Sequence, residues 1–253
     1  MAMGNVGRLL AAGGRALAGR GLTVRAPLPG SPEPPVALVY RGPATLPGCP
    51  EAVAALLKSS RWGFDVRYVG PDADDLPLTR RALAGATLYA QPGGGTLNRG
   101  YRHLKRHRDE IRQFVHSGGR YLGICLGGYL AGATPGFGLL PGDTDQYIAS
   151  SAATVDSERN TVVQVSWRGR RRTLFFQDGP YFWLRPKAEA DVLATYPNGT
   201  VAAMVAPFGA GRVGVVGPHP EATDDWYVDA GLPIADRLGT DLGCDLIDTV
   251  MRP

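Results

Sequence analysis

Three short stretches of this chain carry residue types whose spacing could do covalent chemistry. The first is Gly123-Ile-Cys125-Leu-Gly127. A Gly-x-Cys-x-Gly run between an apolar strand and a helix predicts a sharp turn that holds the thiol exposed and strained, with glycines where side chains would clash. At the head of a helix the dipole favours thiolate. The second is Gly217-Pro-His219-Pro-Glu221, directly after the apolar run Val213–Val216. Residues two apart in an extended segment point to the same face, so Glu221 can fix the tautomer of His219 and the imidazole can activate a thiol. By itself the tripeptide would read as a surface loop; beside a cysteine elbow it reads as a base and its orienting acid. The third, Gln91-Pro-Gly-Gly-Gly95, leaves backbone N–H groups bare at a strand end, where they can face an oxyanion. No lysine follows at phosphate-loop spacing, so nucleotide binding is not expected.

The elements that must position these residues alternate. Strands are expected at 36–40, 64–69, 86–90 and 121–124, with helices at 51–59, at about 99–117 and after Cys125. Such alternation predicts βαβ units, a parallel sheet and helices on both faces. Ligands of open α/β sheets gather at the C-terminal strand edge, where all three stretches fall. The second half reads as hairpins: 161–167 with 173–176 around a charged tip at 168–172, and 192–196 with 201–205 around Asn198-Gly199. The fold class expected is α/β, a flavodoxin-like doubly wound, mostly parallel sheet with antiparallel hairpin additions.

The composition is that of an ordinary globular chain: 253 residues, 44% hydrophobic and 20% charged, with 35 Gly and 21 Pro that call for many tight turns. A net charge of +4 is too small and scattered to imply nucleic acid. Cys49, Cys125 and Cys244 are odd in number and far apart, which fits neither a disulfide framework nor a zinc site and suggests a reducing, cytoplasmic setting. The charge-free stretch 121–142 is long enough for a membrane span, but its seven glycines and two prolines exclude a continuous helix, so no membrane is expected. Residues 1–35 are basic, lack acid before Glu33 and end in prolines. They read as a flexible extension and linker rather than a secretory signal; a transit peptide suits their charge but not their scarcity of serine. The remaining domain is 36–253.

Taken together, Pro92-Gly-Gly94, Gly123-Ile-Cys-Leu-Gly127 and His219-Pro-Glu221 resemble the class I glutamine amidotransferase-like superfamily. The closer resemblance is to its biotin-protein-ligase N-terminal domain type, over about residues 36–222. It rests on Val39-Tyr-Arg-Gly-Pro43, Gln91-Pro-Gly-Gly94, the run from Phe114 to Cys125, and Phe176-Gln-Asp-Gly-Pro-Tyr-Phe182. The resemblance implies a flavodoxin-like sheet and a Cys125–His219–Glu221 triad, with the amides of Gly94 and Leu126 as oxyanion donors and Gly93 and Gly95 bordering substrate. Leu126 stands where the related intracellular-protease branch usually has histidine, which argues against that branch. With no synthetase or ligase domain expected in the chain, ammonia transfer would need a separate synthetase or biosynthetic partner protein, and no biotinylation is expected.

The expected activity is a cysteine-dependent hydrolase or acyl/amido transferase on a small-molecule amide or related acyl group, through a thioester and without cofactor or metal. The alternative is a non-catalytic binding or regulatory module with a reactive thiol; hydratase or lyase chemistry on the same scaffold is a third reading. The basic run Arg99–Arg108 reads as the solvated face of an amphipathic helix rather than a nucleic-acid surface. His103, His107 and His116 lack the company of a metal site. Tyr129, Asp178 and Tyr181 either line the pocket, if the loop 176–182 closes over Cys125, or form a turn with core aromatics.

Overall fold

A computed structural model describes residues 33–72, 74–234 and 238–253. The basic extension expected at the N-terminus lies, up to residue 32, outside the described residues. Strand β1 (Val36–Tyr40) is followed by α1 (Cys49–Ser59), β2 (Asp65–Val69), α2 (Arg80–Ala84), β3 (Leu88–Gln91), α3 (Leu97–Leu104), α4 (Arg108–His116), β4 (Arg120–Ile124) and α5 (Leu126–Ala131). The later elements are β5 (Gly142–Gln146), β6 (Thr161–Trp167), β7 (Arg170–Phe176), β8 (Pro180–Leu184), β9 (Asp191–Thr195), β10 (Val201–Phe208), β11 (Gly211–Val216), α6 (Asp224–Asp229) and α7 (Thr240–Val250).

All 11 strands join one mixed sheet, whose main path runs β2-β1-β3-β4-β11-β10-β9-β6-β7. The first five are mutually parallel. The others pair antiparallel, including β8, which bridges β5 to β10. Alternation along β1 explains the layering. Ala37 and Val39 face a core shared with Val53, Leu56 and Leu57 of α1 and Leu246, Ile247 and Val250 of α7. Leu38 and Tyr40 face the opposite core, with Leu83 of α2, Ile111 and Val115 of α4 and Leu130 of α5. A strand covered on both faces must be apolar throughout, and Val-Ala-Leu-Val-Tyr is.

Three expectations change in detail. The helix expected at 99–117 is two helices joined by a 3-10 turn at Lys105–His107. The halves serve different partners: Gly100 of α3 sits against Leu126, while Ile111 and Val115 of α4 reach the sheet core. The charged hairpin tip shrinks to Arg168-Gly169, both at positive φ (45° and 79°), so Arg170 to Arg172 belong to β7. Two of those arginines are tied to α7: Arg168 Nε donates to Asp245 (2.7 Å) and Arg172 Nη1 to Asp241 (2.7 Å). Finally, the segment taken as a loop over 176–182 is a short turn that enters β8 at Pro180. Among the described residues no helix is long and apolar enough to cross a membrane.

Candidate active site

Cys125 stands between the end of β4 and the first residue of α5 with φ 50° and ψ −106°, outside the regions open to ordinary L-residues. Its backbone is held there by a hydrogen bond from Cys125 N to Val216 O (2.9 Å). The turn can close because Gly127 has no side chain: a Cβ there would lie 1.9 Å from the Gln91 carbonyl oxygen. Tyr121 Oη donates to Gly127 O (2.8 Å) and pins the first turn of α5 against β4. The turn is strained as expected, but the thiol is buried rather than exposed: Cys125 is 7% exposed, and its Sγ donates to Gln177 O at 3.6 Å, in the residues before β8.

His219 follows β11, the parallel neighbour of β4, so the strand order itself delivers the imidazole beside the thiol. Its N–H bonds to Phe175 O (2.9 Å) in an isolated bridge, and the chain then turns, with Ala222 N donating to His219 O (3.3 Å), so Glu221 meets the imidazole across a turn rather than along the extended segment the spacing suggested. His219 Nδ1 and Glu221 Oε1 are 2.8 Å apart and both residues are buried. A carboxylate only accepts, so Nδ1 carries the proton and Nε2 is the basic nitrogen left to the thiol. Burial pushes the imidazole pKa down, but the Glu221 charge, then the charge and hydrogen bond of Cys125, outweigh it and raise it to about 10. The imidazolium that forms when Nε2 takes a proton is therefore favoured. Glu221 Oε2 is buried without a hydrogen-bond partner among the described residues.

Gly93 explains how the pair can approach. A Cβ at position 93 would stand 2.6 Å from His219 Cε1 and 3.2 Å from Cys125 Cβ, so both side chains crowd the same bare backbone. Gly94, at φ 96°, is covered by Leu46, whose N and Cβ would be 2.7 Å from a Cβ there. Gly95 is open, with nothing within 4 Å of its Cβ position. Leu126 is the first residue of α5, so its amide has no intrahelical acceptor.

Tyr129 Oη donates to the Asp178 carbonyl (3.1 Å), which brings these two predicted residues to the rim of the thiol. Burial raises the Tyr129 phenol pKa further, so it stays a neutral donor. Asp178 is half-buried at φ 46°, and Gln146 Nε2 donates to both its carboxylate oxygens (3.1 and 3.0 Å). Burial raises its pKa, the Gln146 hydrogen bond opposes this, and Glu158 adds to the rise. Tyr181 packs partly buried against the core that includes Cys125, opposite Asp145 across β5 and β8. The segment is a turn with core aromatics, and its Gln177 carbonyl reaches the thiol.

Several residues of the site carry no local signal in the sequence. Trp226 of α6 and Phe175 of β7 wall the imidazole, with ring centroids 5.3 and 6.0 Å from it. Gln91, fully buried, donates to Ala44 O (2.9 Å) and accepts from Tyr89 Oη (2.8 Å), while Thr45 Oγ1 donates to Gly93 O (2.7 Å). These bonds fasten the loop after β1 onto the glycine loop. A buried glutamine at the end of an apolar strand was the one available clue, since such a group needs partners. Cys49 is buried at the start of α1, and burial, with the charges of Glu221 and Cys125, pushes its thiol far up, so it stays protonated. Among the described residues no group of three or more His, Cys, Asp or Glu is placed to hold a metal.

Residues 36–139 match the profile of the family described as "Biotin-protein ligase, N terminal". No curated protein matches the chain. Among solved structures, a GH42 β-galactosidase, Gan42B, is 15% identical with a TM-score of 0.49, over 85% of this chain and 29% of that one. A cytoplasmic protein of Salmonella typhimurium LT2 is 14% identical with a TM-score of 0.48, over 86% and 99%. An exo-β-1,4-mannosidase of an Opitutaceae bacterium is 16% identical with a TM-score of 0.49, over 86% and 36%. The chain thus spans about a third of the length of the two glycosidases it resembles.

Proposed function

We propose that this protein is a cysteine-dependent hydrolase or acyl transferase that cleaves an amide or related acyl group through a thioester on Cys125. The observation that carries the reading is the buried His219–Glu221 pair, 2.8 Å apart, set against a cysteine held at φ 50° on a strand-to-helix turn. The match of residues 36–139 supports it as far as that match extends. The strand order β2-β1-β3-β4-β11, with helices on both faces, suits a flavodoxin-like doubly wound core of the class I glutamine amidotransferase kind. Three free cysteines agree with action in a reducing, cytoplasmic setting.

In this mechanism His219 Nε2 takes the thiol proton, and Sγ attacks the carbonyl carbon to form the C–S bond. The carbonyl π electrons move to oxygen, which the amides of Leu126 and Gly94 receive in this reading. Collapse breaks the C–N bond as His219 returns the proton to the departing amine. Water, or an amine supplied by a biosynthetic partner, then attacks the thioester, loses its proton to His219 and releases the thiol. Glu221 holds the imidazole tautomer throughout and offsets the cation it becomes.

The test is a trapped adduct. After incubation with a pool of carboxamides and acid quenching, mass spectrometry of the Cys125 peptide should reveal an acyl adduct that hydroxylamine removes as a hydroxamate. The adduct should vanish in His219→Ala. Full turnover by Cys125→Ser on an identified substrate would overturn the reading. So would Cys125 alkylation that proceeds at the same rate with and without His219.

A further inference from the structure

We infer that the Asp178 carboxylate recognises a positively charged group, such as a protonated amine, on the acyl portion of the substrate bound at Cys125. The inference rests on the thioester reading above and adds a substrate class to it. Asp178 is the residue after Gln177, whose carbonyl accepts the Cys125 thiol at 3.6 Å. Consecutive Cα atoms are about 3.8 Å apart, so the Asp178 backbone stands one residue from the group that meets the thiol. Its place is not left to a mobile loop. Tyr129 holds the Asp178 carbonyl oxygen, and the backbone keeps a left-handed conformation that aspartate adopts only under constraint.

Asp178 lacks the company that several carboxylates of this fold have. Other carboxylates of this fold meet a guanidinium: Asp75 meets Arg41, Asp241 meets Arg172 and Asp245 meets Arg168. Asp178 has only the neutral Gln146 amide, whose single nitrogen reaches both oxygens. A carboxylate offers about four acceptor sites, so acceptor capacity as well as charge remains. Among the described residues no lysine, arginine or histidine pairs with it. The formal charges that bear on Asp178 and Tyr181 are negative, Glu158 and Asp145, while any charge on Cys125 is matched by the His219 imidazolium. A half-buried charge in such surroundings is best met by a ligand cation.

Charge-matched thiol reagents read this directly. Rates of Cys125 modification would be measured by peptide mapping with methyl, 2-(trimethylammonio)ethyl and 2-sulfonatoethyl methanethiosulfonate, each normalised to a free small thiol. The cation-to-anion ratio should fall about tenfold in Asp178→Asn, the size expected for one unit charge at this range in a partly hydrated site. The neutral reagent should change less than twofold. Asp178→Glu should keep most of the preference. Asparagine tolerates the left-handed backbone, and unchanged near-UV circular dichroism would confirm folding. An unmoved ratio, or all three rates shifting together, overturns the inference. The neutral reagent compared between wild type and His219→Ala tests the activated thiol separately. A His219-dependent rate with an unmoved charge ratio removes the cation site and leaves the thioester reading standing.

Discussion

Strands β2, β1, β3, β4 and β11 run parallel and deliver their C-terminal ends to one edge, whereas β10, β9, β6 and β7 alternate in direction. The parallel half supplies the chemistry: the glycine loop after β3, Cys125 after β4 and His219 after β11. It does so at close quarters, with backbone against backbone and glycine where nothing larger fits. The antiparallel half supplies the surroundings, chiefly Phe175 beside the imidazole and the turn 177–179 beside the thiol. Its turns at Gly169 and Gly199 have nothing within 4 Å of a Cβ position, and its far end is held to α7 by the side chains of Trp167, Arg168 and Arg172. Parallel strands must return by helical crossovers that cover both faces, which compresses the edge loops; hairpins carry no such constraint.

The sharpest way to break this contrast is to place the same methyl group in each half. Gly127→Ala puts a Cβ 1.9 Å from the Gln91 carbonyl oxygen, in the middle of the elbow. The expected loss is about 3 kcal/mol or more, or failure to fold, read by urea denaturation. An intermediate effect should come from the tie between the halves' outer layer and the sheet. Asp245 accepts from Trp167 Nε1 (2.8 Å) and Arg168 Nε (2.7 Å), so Asp245→Ala leaves a buried indole N–H without its acceptor. About 2 kcal/mol should be lost, measured the same way, and a shift near zero would mean that α7 is held by its apolar face alone. The smallest effect belongs to Gly199→Ala in the β9–β10 hairpin, where nothing lies within 4 Å and only φ 84° opposes the side chain. That strain should amount to about 1 kcal/mol. If Gly199→Ala proved as damaging as Gly127→Ala, the division into a crowded and an open half would be wrong.

Much of the parallel half could be read before any coordinates, because its signals are local. Apolar runs such as Val36–Tyr40 and Val213–Val216 announce strands buried on two faces, and Gly-x-Cys-x-Gly announces the turn between strand and helix. The closeness of His219 and Glu221 in sequence already pairs them, although a turn after His219, not an extended segment, brings them together. The short polar strand β5, with Asp143, Thr144, Asp145 and Gln146, has no such pattern, since it forms only because β8 lies opposite. For the same reason the partners β8 and α6 went unread.

Residue types and spacing alone determined that a cysteine, a histidine and a glutamate could act together at one strand edge. Only the tertiary structure decided who stands around them: Trp226 and Phe175 against the imidazole, Gln91 and Thr45 fastening two loops, and the Gln177 carbonyl against the thiol. The reason is physical. A turn or a buried strand is fixed by torsional limits and burial within a few residues, whereas a pocket wall is fixed by which distant segments pack together, a choice that no single segment encodes.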